Sequence, residues 1–354
     1  MSDDRLSALR QRLTREGLDG FLTFTEQDFF YLSGFSGDAG ALLVSRDDAL
    51  LLTDSRYIET AAAEVRGART SQHGGSLTDD VAEAVRQMGG ERWGFDAEQV
   101  SYGLYQGLQE EGVPLFPTKG LLLAQRMVKD AEEVARLRRA CAIAADALEE
   151  AIDRLRPGMK ERDAALWLEM RMREMGAEGP AFPFIVASGP RGSLPHATAG
   201  DRVLAQGDMV TLDVGCRYFG YHSDITRTVA VGTPHAELER VYGLVLQAQE
   251  AGIAAVRAGV SARDVDAAAR RVIADAGYGD RFGHGTGHGV GLEIHEWPRV
   301  SSRSDDILAA GMVLTVEPGI YLPGVGGVRI EDTVLVTEAG AEVLTVSPKT
   351  LRML

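Results

Sequence analysis

The chain has 354 residues, of which 45% are hydrophobic and 25% are charged. These values are ordinary for globular proteins and exclude a disordered or fibrous protein, and the length suits two domains. Lysine and arginine number 37 against 52 aspartates and glutamates, which gives a formal net charge of −15 at pH 7. A surface of this sign repels nucleic-acid phosphates and anionic lipids, so we expect neither nucleic acid nor membrane as a partner.

The cysteine content and the hydropathy pattern both bear on the cellular compartment. The chain has two cysteines, Cys141 and Cys216, which are too few for a disulfide framework and suit a reducing compartment. Its apolar runs are all shorter than the roughly 18 residues that a membrane span needs. The first residues read MSDDRLSALRQRL and lack the apolar core of a signal peptide. We therefore expect a cytoplasmic protein.

Residues 1–125 are predicted to form an α/β domain of alternating helices and strands. Leucines recur at helical spacing at Leu6, Leu9 and Leu13. Apolar runs separated by turn residues predict strands at 20–24, 41–44, 49–52 and 92–95, the middle two forming a hairpin, and a helix at 102–111. This region contains no catalytic signature, so the sequence pattern alone does not indicate its purpose.

Residues 126–354 begin with a long charged helix, predicted from about residue 130 to 156, and contain an internal repeat. Four residues return at a constant offset of 101: Arg156, Gly158, Arg162 and Asp163 recur as Arg257, Gly259, Arg263 and Asp264. Because the offset holds across helix and loop, we expect two helix–helix–hairpin halves related by a pseudo-twofold axis. Together they would form a second domain of the α+β class.

Each half contains an apolar strand that begins at a glycine and ends in an acid, at residues 207–213 and 311–317. In the first half, a turn at residues 217–220 would place Asp213 opposite Asp224, with Cβ atoms about 5 Å apart. Two bare carboxylates this close would repel each other and lose hydration. A positive charge is therefore expected between them.

The second half repeats this arrangement of acids. Glu317 and Glu331 bracket a turn rich in glycine, with Gly324 at its midpoint. Four acids would then face one centre, and Arg329 alone could not neutralise them. The pattern therefore predicts a pair of divalent metal ions.

A glycine-rich segment at residues 282–298 supplies candidate nitrogen ligands. Glycines occupy every second position from 283 to 291, so in an extended chain they share one face and His284, Thr286 and His288 share the other. This glycine content disfavours a helix and excludes the helical histidine pair of zinc proteases. Imidazole and carboxylate ligands without a thiolate suit manganese, cobalt or zinc, and two such ions would lower the pKa of a bridging water.

The acids and the histidine together resemble the ligand set of the "pita-bread" metallopeptidases, the M24 family that includes prolidase, aminopeptidase P and methionine aminopeptidase. The matching residues, in the order of that family, are Asp213, Asp224, His288, Glu317 in VEPG and Glu331 in VRIED. The resemblance covers about residues 126–354 and implies the pita-bread fold for the second domain. The segments YLSGF at 31–35 and LTDSRY at 52–57 are similar to the creatinase/prolidase N-terminal domain, which methionine aminopeptidases lack.

The resemblance implies a role for each matching residue. Two divalent ions, manganese first with cobalt or zinc as alternatives, would be bound by Asp213, Asp224, His288, Glu317 and Glu331. Glu317 would also carry the proton of the attacking water, and His196 and His295 would hold the scissile carbonyl and the proline residue. His284 and Arg329 would orient substrate and ligands from behind the metals.

The implied reaction is hydrolysis of the peptide bond before proline by a hydroxide that bridges the metals. A dipeptidase needs a cation for the free carboxylate of its substrate, and Arg299 in HEWPR lies on the loop where prolidases carry such an arginine. We therefore expect an Xaa-Pro dipeptidase. The alternative is an Xaa-Pro aminopeptidase acting on longer peptides, and a remote alternative is a non-catalytic metal-binding protein.

Members of the family are usually dimers, so the resemblance also implies a homodimer. In such a dimer Asp38 could reach over a cleft, perhaps that of the partner subunit, and meet the amino group of the substrate. Arg56 could offer the substrate a second cation besides Arg299.

Overall fold

The computed structural model describes residues 2–354, and the chain divides between Arg126 and Met127 into two compact units. The first unit alternates helices and strands. Its helices are α1 (Ser2–Glu16), α2 (Glu26–Ser33), α3 (Ile58–Glu64), α4 (Leu77–Met88), α5 (Tyr102–Glu110) and α6 (Leu123–Arg126). Its strands are β1 (Gly20–Thr23), β2 (Ala41–Ser45), β3 (Ala49–Thr53), β4 (Arg69–Gln72), β5 (Trp93–Asp96) and β6 (Leu115–Thr118).

The strands of the first unit form one mixed sheet in the order β4-β3-β2-β1-β5-β6. The predicted hairpin is present as the antiparallel pair β2–β3, whereas β1 and β5 run parallel. The leucines predicted to line one face of α1 are all buried: Leu6, Leu9 and Leu13. The sheet and the buried face of α1 therefore account for the pattern read from the sequence.

The second unit contains helices and antiparallel strands. Its helices are α7 (Ala131–Ile152), α8 (Glu161–Glu174), α9 (Ala236–Ala255) and α10 (Ala262–Asp275). The strands of its first half are β7 (Gly179–Pro180), β8 (Ile185–Ser188), β9 (Met209–Val214), β10 (Cys216–Tyr218), β11 (Tyr221–His222) and β12 (Ile225–Ala230). Those of its second half are β13 (Gly287–Gly289), β14 (Glu296–Val300), β15 (Val313–Val316), β16 (Gly319–Leu322), β17 (Gly326–Arg329), β18 (Asp332–Val336) and β19 (Ala341–Val343).

The predicted repeat is visible in the order of these elements. In each half a pair of helices precedes the strands, and the bounds of α8 and α10 differ by 101 residues at both ends. Helix α7 starts as predicted, with Asp130 and Glu133 forming a capping box. It ends at Ile152 rather than near residue 156, because Pro157 lacks an N–H and Gly158 adopts a positive φ of 91° in the turn that follows.

The predicted register of the first hairpin is wrong by two residues. Strands β9 and β12 place Thr226, not Asp224, opposite Asp213. The turn consists of Phe219 and Gly220, whose φ angles are both positive at 47° and 76°, as in the tight primed turns of hairpins. Because strand residues alternate between faces, Asp224 still shares a face with Thr226 and lies diagonal to Asp213.

The register of the second hairpin agrees with the sequence prediction. Gly319 lies opposite Arg329, which centres the turn on Gly324. The same register continues outside this pair, where Val316 of β15 lies opposite Asp332 of β18. Glu317 and Glu331 therefore occupy corresponding positions on two facing segments.

Within residues 2–354, every helix is too short or too polar to cross a membrane.

Candidate metal centre

The five predicted metal ligands lie at or next to strand ends in the second unit. Asp213 is in β9 and Asp224 directly precedes β12, His288 is in β13, Glu317 follows β15, and Glu331 stands between β17 and β18. The three acids Asp213, Asp224 and Glu331 are buried, and the side chains of His288 and Glu317 are 15% and 18% exposed. The strands therefore concentrate acidic side chains in the interior.

Atomic distances join these side chains into one cluster. His288 Nε2 lies 3.6 Å from Asp224 Oδ2 and 3.4 Å from Glu317 Oε1. One ligand atom each from Asp224, His288 and Glu331 fit within 4.8 Å of one another. Backbone hydrogen bonds set this arrangement, since Glu317 N–H donates to the carbonyl of Thr286 at 2.8 Å and thereby ties β15 to the glycine-rich segment.

The protonation of His288 follows from its second nitrogen. Nδ1 lies 3.1 Å from the carbonyl oxygen of Gly289, which can only accept, so Nδ1 carries the proton. Burial lowers the pKa of His288 to about 3, so the ring is neutral and Nε2 presents a lone pair. A lone pair facing two carboxylate oxygens at these distances is repulsive unless a cation lies between them.

The electrostatics of the acids lead to the same conclusion. Burial raises the pKa of Asp224, and the charges of Glu331, Asp213 and Glu317 raise it further. Burial and the neighbouring acids likewise raise the pKa of Glu331, and burial raises that of Glu317 to about 8. Without a bound cation, the ionised forms of these three acids are therefore disfavoured.

Unsatisfied oxygen atoms mark the space where a cation fits. Among the described residues, Asp213 Oδ1, Asp224 Oδ1 and Glu331 Oε1 are buried without a hydrogen-bond partner. Buried polar atoms in native proteins are usually satisfied, so three orphaned carboxylate oxygens in one cluster require an explanation. Hard oxygen donors beside an imidazole are the ligand set of divalent metals such as manganese, cobalt or zinc. The residues present thus fit a metal centre.

A hydrogen-bonded chain behind the acids fixes Asp213. Arg329 is buried and donates from Nη2 to Asp213 Oδ2 at 2.6 Å and from Nη1 to the hydroxyl of Tyr321 at 2.9 Å. His284 Nδ1 lies 2.8 Å from the carbonyl of Gly285, so Nε2 accepts the proton of the Tyr321 hydroxyl at 2.9 Å. His284 therefore contacts the metal cluster through Tyr321 and Arg329.

Three residues that hold this cluster were missed by the sequence analysis. The hydroxyl of Thr226 donates to Glu331 Oε2 at 2.6 Å and accepts from Arg329 Nε at 3.3 Å. The hydroxyl of Thr315 donates to Glu317 Oε1 at 3.3 Å and accepts from the backbone N–H of His288 at 3.1 Å. The third is Tyr321. Each lies two to four residues from a predicted ligand or arginine, and this proximity in sequence was the available signal.

The glycine-rich segment differs from the predicted extended chain. Between residues 283 and 291 of the described chain, only 287–289 form a strand. The hydroxyl of Thr286 bonds the buried carboxylate of Asp266 at 2.8 Å, so this side chain is directed to helix α10. The expected close backbone approach is present, because a Cβ built on Gly287 would lie 1.9 Å from the carbonyl oxygen of Thr315.

The remaining predicted residues of the second unit surround the cluster. The rings of His288 and His295 are 4.4 Å apart in an edge-to-face arrangement. Arg299 is exposed and lies opposite His288 in the pairing of β13 with β14, so the two side chains share a face. Its charge contributes to the lowered pKa of His295, behind burial. His196 is exposed on the loop after β8, and its charge also lowers the pKa of His284 and His295.

Two predicted substrate contacts lie in the first unit. Asp38 is exposed and accepts a hydrogen bond from the hydroxyl of Tyr57 at 2.8 Å. Arg56 pairs with Asp54. Their predicted contact with substrate stays a prediction.

Models of two known families match the chain. Residues 135–338 match metallopeptidase family M24, and residues 5–128 match the Creatinase/Prolidase N-terminal domain. The chain therefore belongs to metallopeptidase family M24, with an α/β creatinase-type N-terminal domain preceding a pita-bread domain.

Individual relatives match over nearly the full chain. The Xaa-Pro dipeptidase of Pyrococcus furiosus is 38% identical over 351 residues, which cover 98% of this chain and 99% of the relative. The structure of an Xaa-Pro dipeptidase from Bacillus anthracis superposes with a TM-score of 0.98 at 43% identity, covering 100% of both chains. The structure of an X-Pro aminopeptidase from Thermotoga maritima gives a TM-score of 0.89 at 38% identity, covering 97% of this chain and 100% of the other.

Proposed function

We propose that the protein is an Xaa-Pro dipeptidase that hydrolyses the peptide bond before a C-terminal proline with the help of divalent metal ions. The convergence of Asp224, His288 and Glu331 within 4.8 Å, with carboxylate oxygens that have no protein partner, is the observation that carries the metal-dependent chemistry. The similarity to Xaa-Pro dipeptidases over the whole chain supports the choice of substrate.

Two metal ions are the proposed content of the centre, with manganese first and cobalt or zinc as alternatives. Their ligands would be Asp213, Asp224, His288, Glu317 and Glu331. Bound divalent ions would polarise the scissile carbonyl and lower the pKa of a water molecule. Such a site suits an Xaa-Pro bond, because the proline nitrogen lacks the N–H that many peptidases require from their substrate.

The side chains of the protein would then bind substrate and transfer protons. Glu317 is the proposed proton carrier: its carboxylate accepts the proton of the attacking water and returns it to the departing proline nitrogen. His196 and His295 are proposed to donate to the scissile carbonyl and to enclose the proline residue.

His284 and Arg329 are proposed to hold the metal-binding acids in place through hydrogen bonds. Arg329 holds one oxygen of Asp213 and leaves the other for a ligand bond, while His284 orients the tyrosine hydroxyl that Arg329 also binds. We further propose that both residues help to orient the substrate.

Arg299 favours a dipeptidase over an aminopeptidase. It is exposed, and its cross-strand partner is His288, so its guanidinium can reach a ligand bound at the metal centre. A free carboxylate after proline would form a charge-assisted pair with it. A longer peptide has an amide at this position and gains no such pair.

The metal requirement is tested by proline release from Leu-Pro by protein treated with a chelator and then supplied with manganese. We expect no turnover without metal and full turnover after its addition. Failure to cleave any Xaa-Pro peptide with bound metal would contradict an enzymatic function and favour the remote alternative, a non-catalytic metal-binding protein.

The carboxylate anchor is tested by Arg299→Ala on Leu-Pro and on Leu-Pro-Pro. Losing a charged hydrogen bond of about 1.5–3 kcal/mol corresponds to a fall of roughly 10- to 100-fold in kcat/KM for Leu-Pro. Cleavage of the tripeptide should change little, and Arg303→Ala, a nearby exposed arginine, serves as the control. If wild-type protein prefers the tripeptide and Arg299→Ala leaves Leu-Pro cleavage unchanged, the protein is instead an Xaa-Pro aminopeptidase.

We propose a homodimer in the cytoplasm, with Asp38 contributing to the binding of the substrate amino group. Sedimentation at several protein concentrations tests the dimer, and a loss of Leu-Pro affinity in Asp38→Asn tests the contact.

A further inference from the structure

The carboxylate of Glu161 is a buried acid that the proposed mechanism does not use. It is the first residue of α8, and its side chain is 0% exposed. An ionised side chain at such a depth requires several partners. Those partners all belong to one loop or its ends.

Each oxygen of Glu161 serves a different end of the loop at residues 189–200. Oε1 accepts from the backbone N–H of Ser188 at 2.9 Å and from its hydroxyl at 2.7 Å. Oε2 accepts from the backbone N–H of Gly200 at 3.2 Å and pairs with Arg191. The start of α8 also donates back, since Arg162 N–H bonds the carbonyl of Gly200 at 3.0 Å. The carboxylate thus closes the loop at its base.

The same loop reaches the candidate metal centre at its far end. Its carbonyl at Pro195 accepts from Arg329 Nη1 at 3.3 Å, and Arg329 also binds Asp213. Gly192 packs against β17 so closely that a Cβ built on Gly327 would lie 2.1 Å from the carbonyl oxygen of Gly192. Arg191 stiffens the loop internally by donating to the carbonyl of Thr198 at 2.7 Å.

We propose that Glu161 is a positioning residue that, with Arg191, holds the loop at residues 189–200 so that His196 faces the substrate site. The inference rests on the proposed function, because His196 acts there on the substrate. His196 is exposed, so the position of its ring depends on the backbone of the loop. The contacts of Glu161 with Ser188, Gly200 and Arg191, here called the clamp, fix that backbone before substrate binds. This lowers the entropy that is lost when the reactive complex forms.

A carboxylate is required because two N–H groups and a guanidinium converge on it. An amide keeps one acceptor oxygen, so Glu161→Gln serves one end of the loop and presents an N–H donor to the donors at the other end. The variant therefore releases one end of the loop while it preserves the volume of the side chain.

The experiment compares Glu161→Gln with Asp163→Asn, which removes an exposed charge from the same turn of α8. Hydrogen exchange at residues 186–203 is measured first and needs no activity. We expect exchange in this segment to rise at least tenfold in Glu161→Gln and to stay at the wild-type rate in Asp163→Asn. Manganese affinity, measured by calorimetry, should be the same in all three proteins.

Kinetics then test whether Glu161 acts through His196. We expect Glu161→Gln to lower kcat/KM for Leu-Pro by about 10- to 100-fold, whereas adding it to His196→Ala should cause no further loss. Additive losses, or an unchanged kcat/KM in Glu161→Gln, would overturn the proposal. If Glu161→Gln does not fold, Arg191→Met is used instead. Arg191 is partly exposed, and its replacement leaves the two backbone N–H bonds to Glu161 in place. We expect Arg191→Met to cause a smaller loss of kcat/KM with the same dependence on His196.

The outcome separates this inference from the proposed function. If wild-type protein does not hydrolyse Xaa-Pro peptides but Glu161→Gln still raises hydrogen exchange in the loop, the proposed function is contradicted and the role of Glu161 in holding the loop is supported. If wild-type protein is active but Glu161→Gln does not raise hydrogen exchange in the loop, only the role of Glu161 is contradicted.

Discussion

Replacing Asp224 by asparagine should change stability in opposite directions with and without metal. In metal-free protein, Asp224 and Glu331 are buried acids whose pKa values are raised by burial and by the charges of the neighbouring acids. An acid whose pKa is higher in the folded than in the unfolded state stabilises the fold below its unfolded pKa, and this contribution is lost as the pH rises through the folded value. At neutral pH the cluster is therefore destabilising, and the neutral amide relieves it.

The magnitude follows from the separation of the charges. Ligand oxygens of Asp224 and Glu331 lie within 4.8 Å, and two unit charges at this distance repel by about 3.5 kcal/mol at an effective dielectric constant of about 20. Partial protonation removes some of this repulsion, so we expect metal-free Asp224→Asn to be about 1–3 kcal/mol more stable than metal-free wild type. For a domain of this size, that corresponds to a rise in Tm of about 2–10 °C.

Metal should reverse the order of the two proteins. At a concentration of about 100 times its Kd, a ligand adds about 2.7 kcal/mol to the stability of a protein with one site, or roughly 5–10 °C in Tm. Wild type should gain at least this shift on adding manganese, and Asp224→Asn should gain little and release no proline from Leu-Pro. The assay is thermal unfolding with chelator and with manganese, and Asp163→Asn is the control for removing an acidic charge. Equal manganese shifts in both proteins, or a less stable metal-free variant, would refute the reasoning.

Three further predictions concern the surroundings of the site. Tyr321→Phe removes the hydroxyl that joins a buried arginine to a histidine, and we expect a loss of about 1–3 kcal/mol in stability and a lower kcat; Tyr278→Phe, which loses a bond to an exposed acid, is the control, and equal behaviour of the two variants would contradict the role. Gly287→Ala places a methyl group against a backbone carbonyl of β15 and should cost about 1–3 kcal/mol or more, whereas Gly283→Ala meets no atom within 4 Å and should unfold near the wild-type temperature. Burial raises the pKa of Cys216 to about 11, so about one thiol in a thousand is ionised at about pH 8. A disulfide reagent should therefore react with this thiol at least 100-fold more slowly in native than in unfolded protein. Similar rates in the two states would show that the thiol is accessible.

Local patterns in the sequence were enough to predict a cluster of acids with nearby histidines and much of the fold. The leucine spacing of α1, the hairpin β2–β3 and the 101-residue offset of α8 and α10 are periodicities that neighbouring residues encode by themselves. The centre of the second hairpin was also predictable, because Pro323 and Gly324 stop one strand before Gly326 begins the next. The four converging acids and the histidines of the glycine-rich segment followed from the same local patterns, whereas the choice of His288 among these histidines followed from the resemblance to the M24 family.

The register of the first hairpin depended on the tertiary structure. The sequence prediction centred the turn one residue earlier, because it assumed that Asp213 and Asp224 lie directly opposite each other. The observed turn places Phe219 at a positive φ, a conformation that a bulky residue seldom adopts. The strand pairing compensates for the cost of this turn, since the observed register places Ile225 and Val229 of β12 beside Val214 and Val210 of β9 in one buried apolar cluster.

The hydrogen-bond partners around the site were decided by the tertiary structure as well. Thr226 meets Glu331 across 105 residues of chain, Arg329 meets Asp213 across 116, and Glu161 meets both Ser188 and Gly200. A hydroxyl or carboxylate in a strand or helix can bond any group that packing brings within about 3 Å, and local sequence does not specify which group that is. The sequence therefore determined which residues could bind metal, and the packing of the two halves determined how those residues are held.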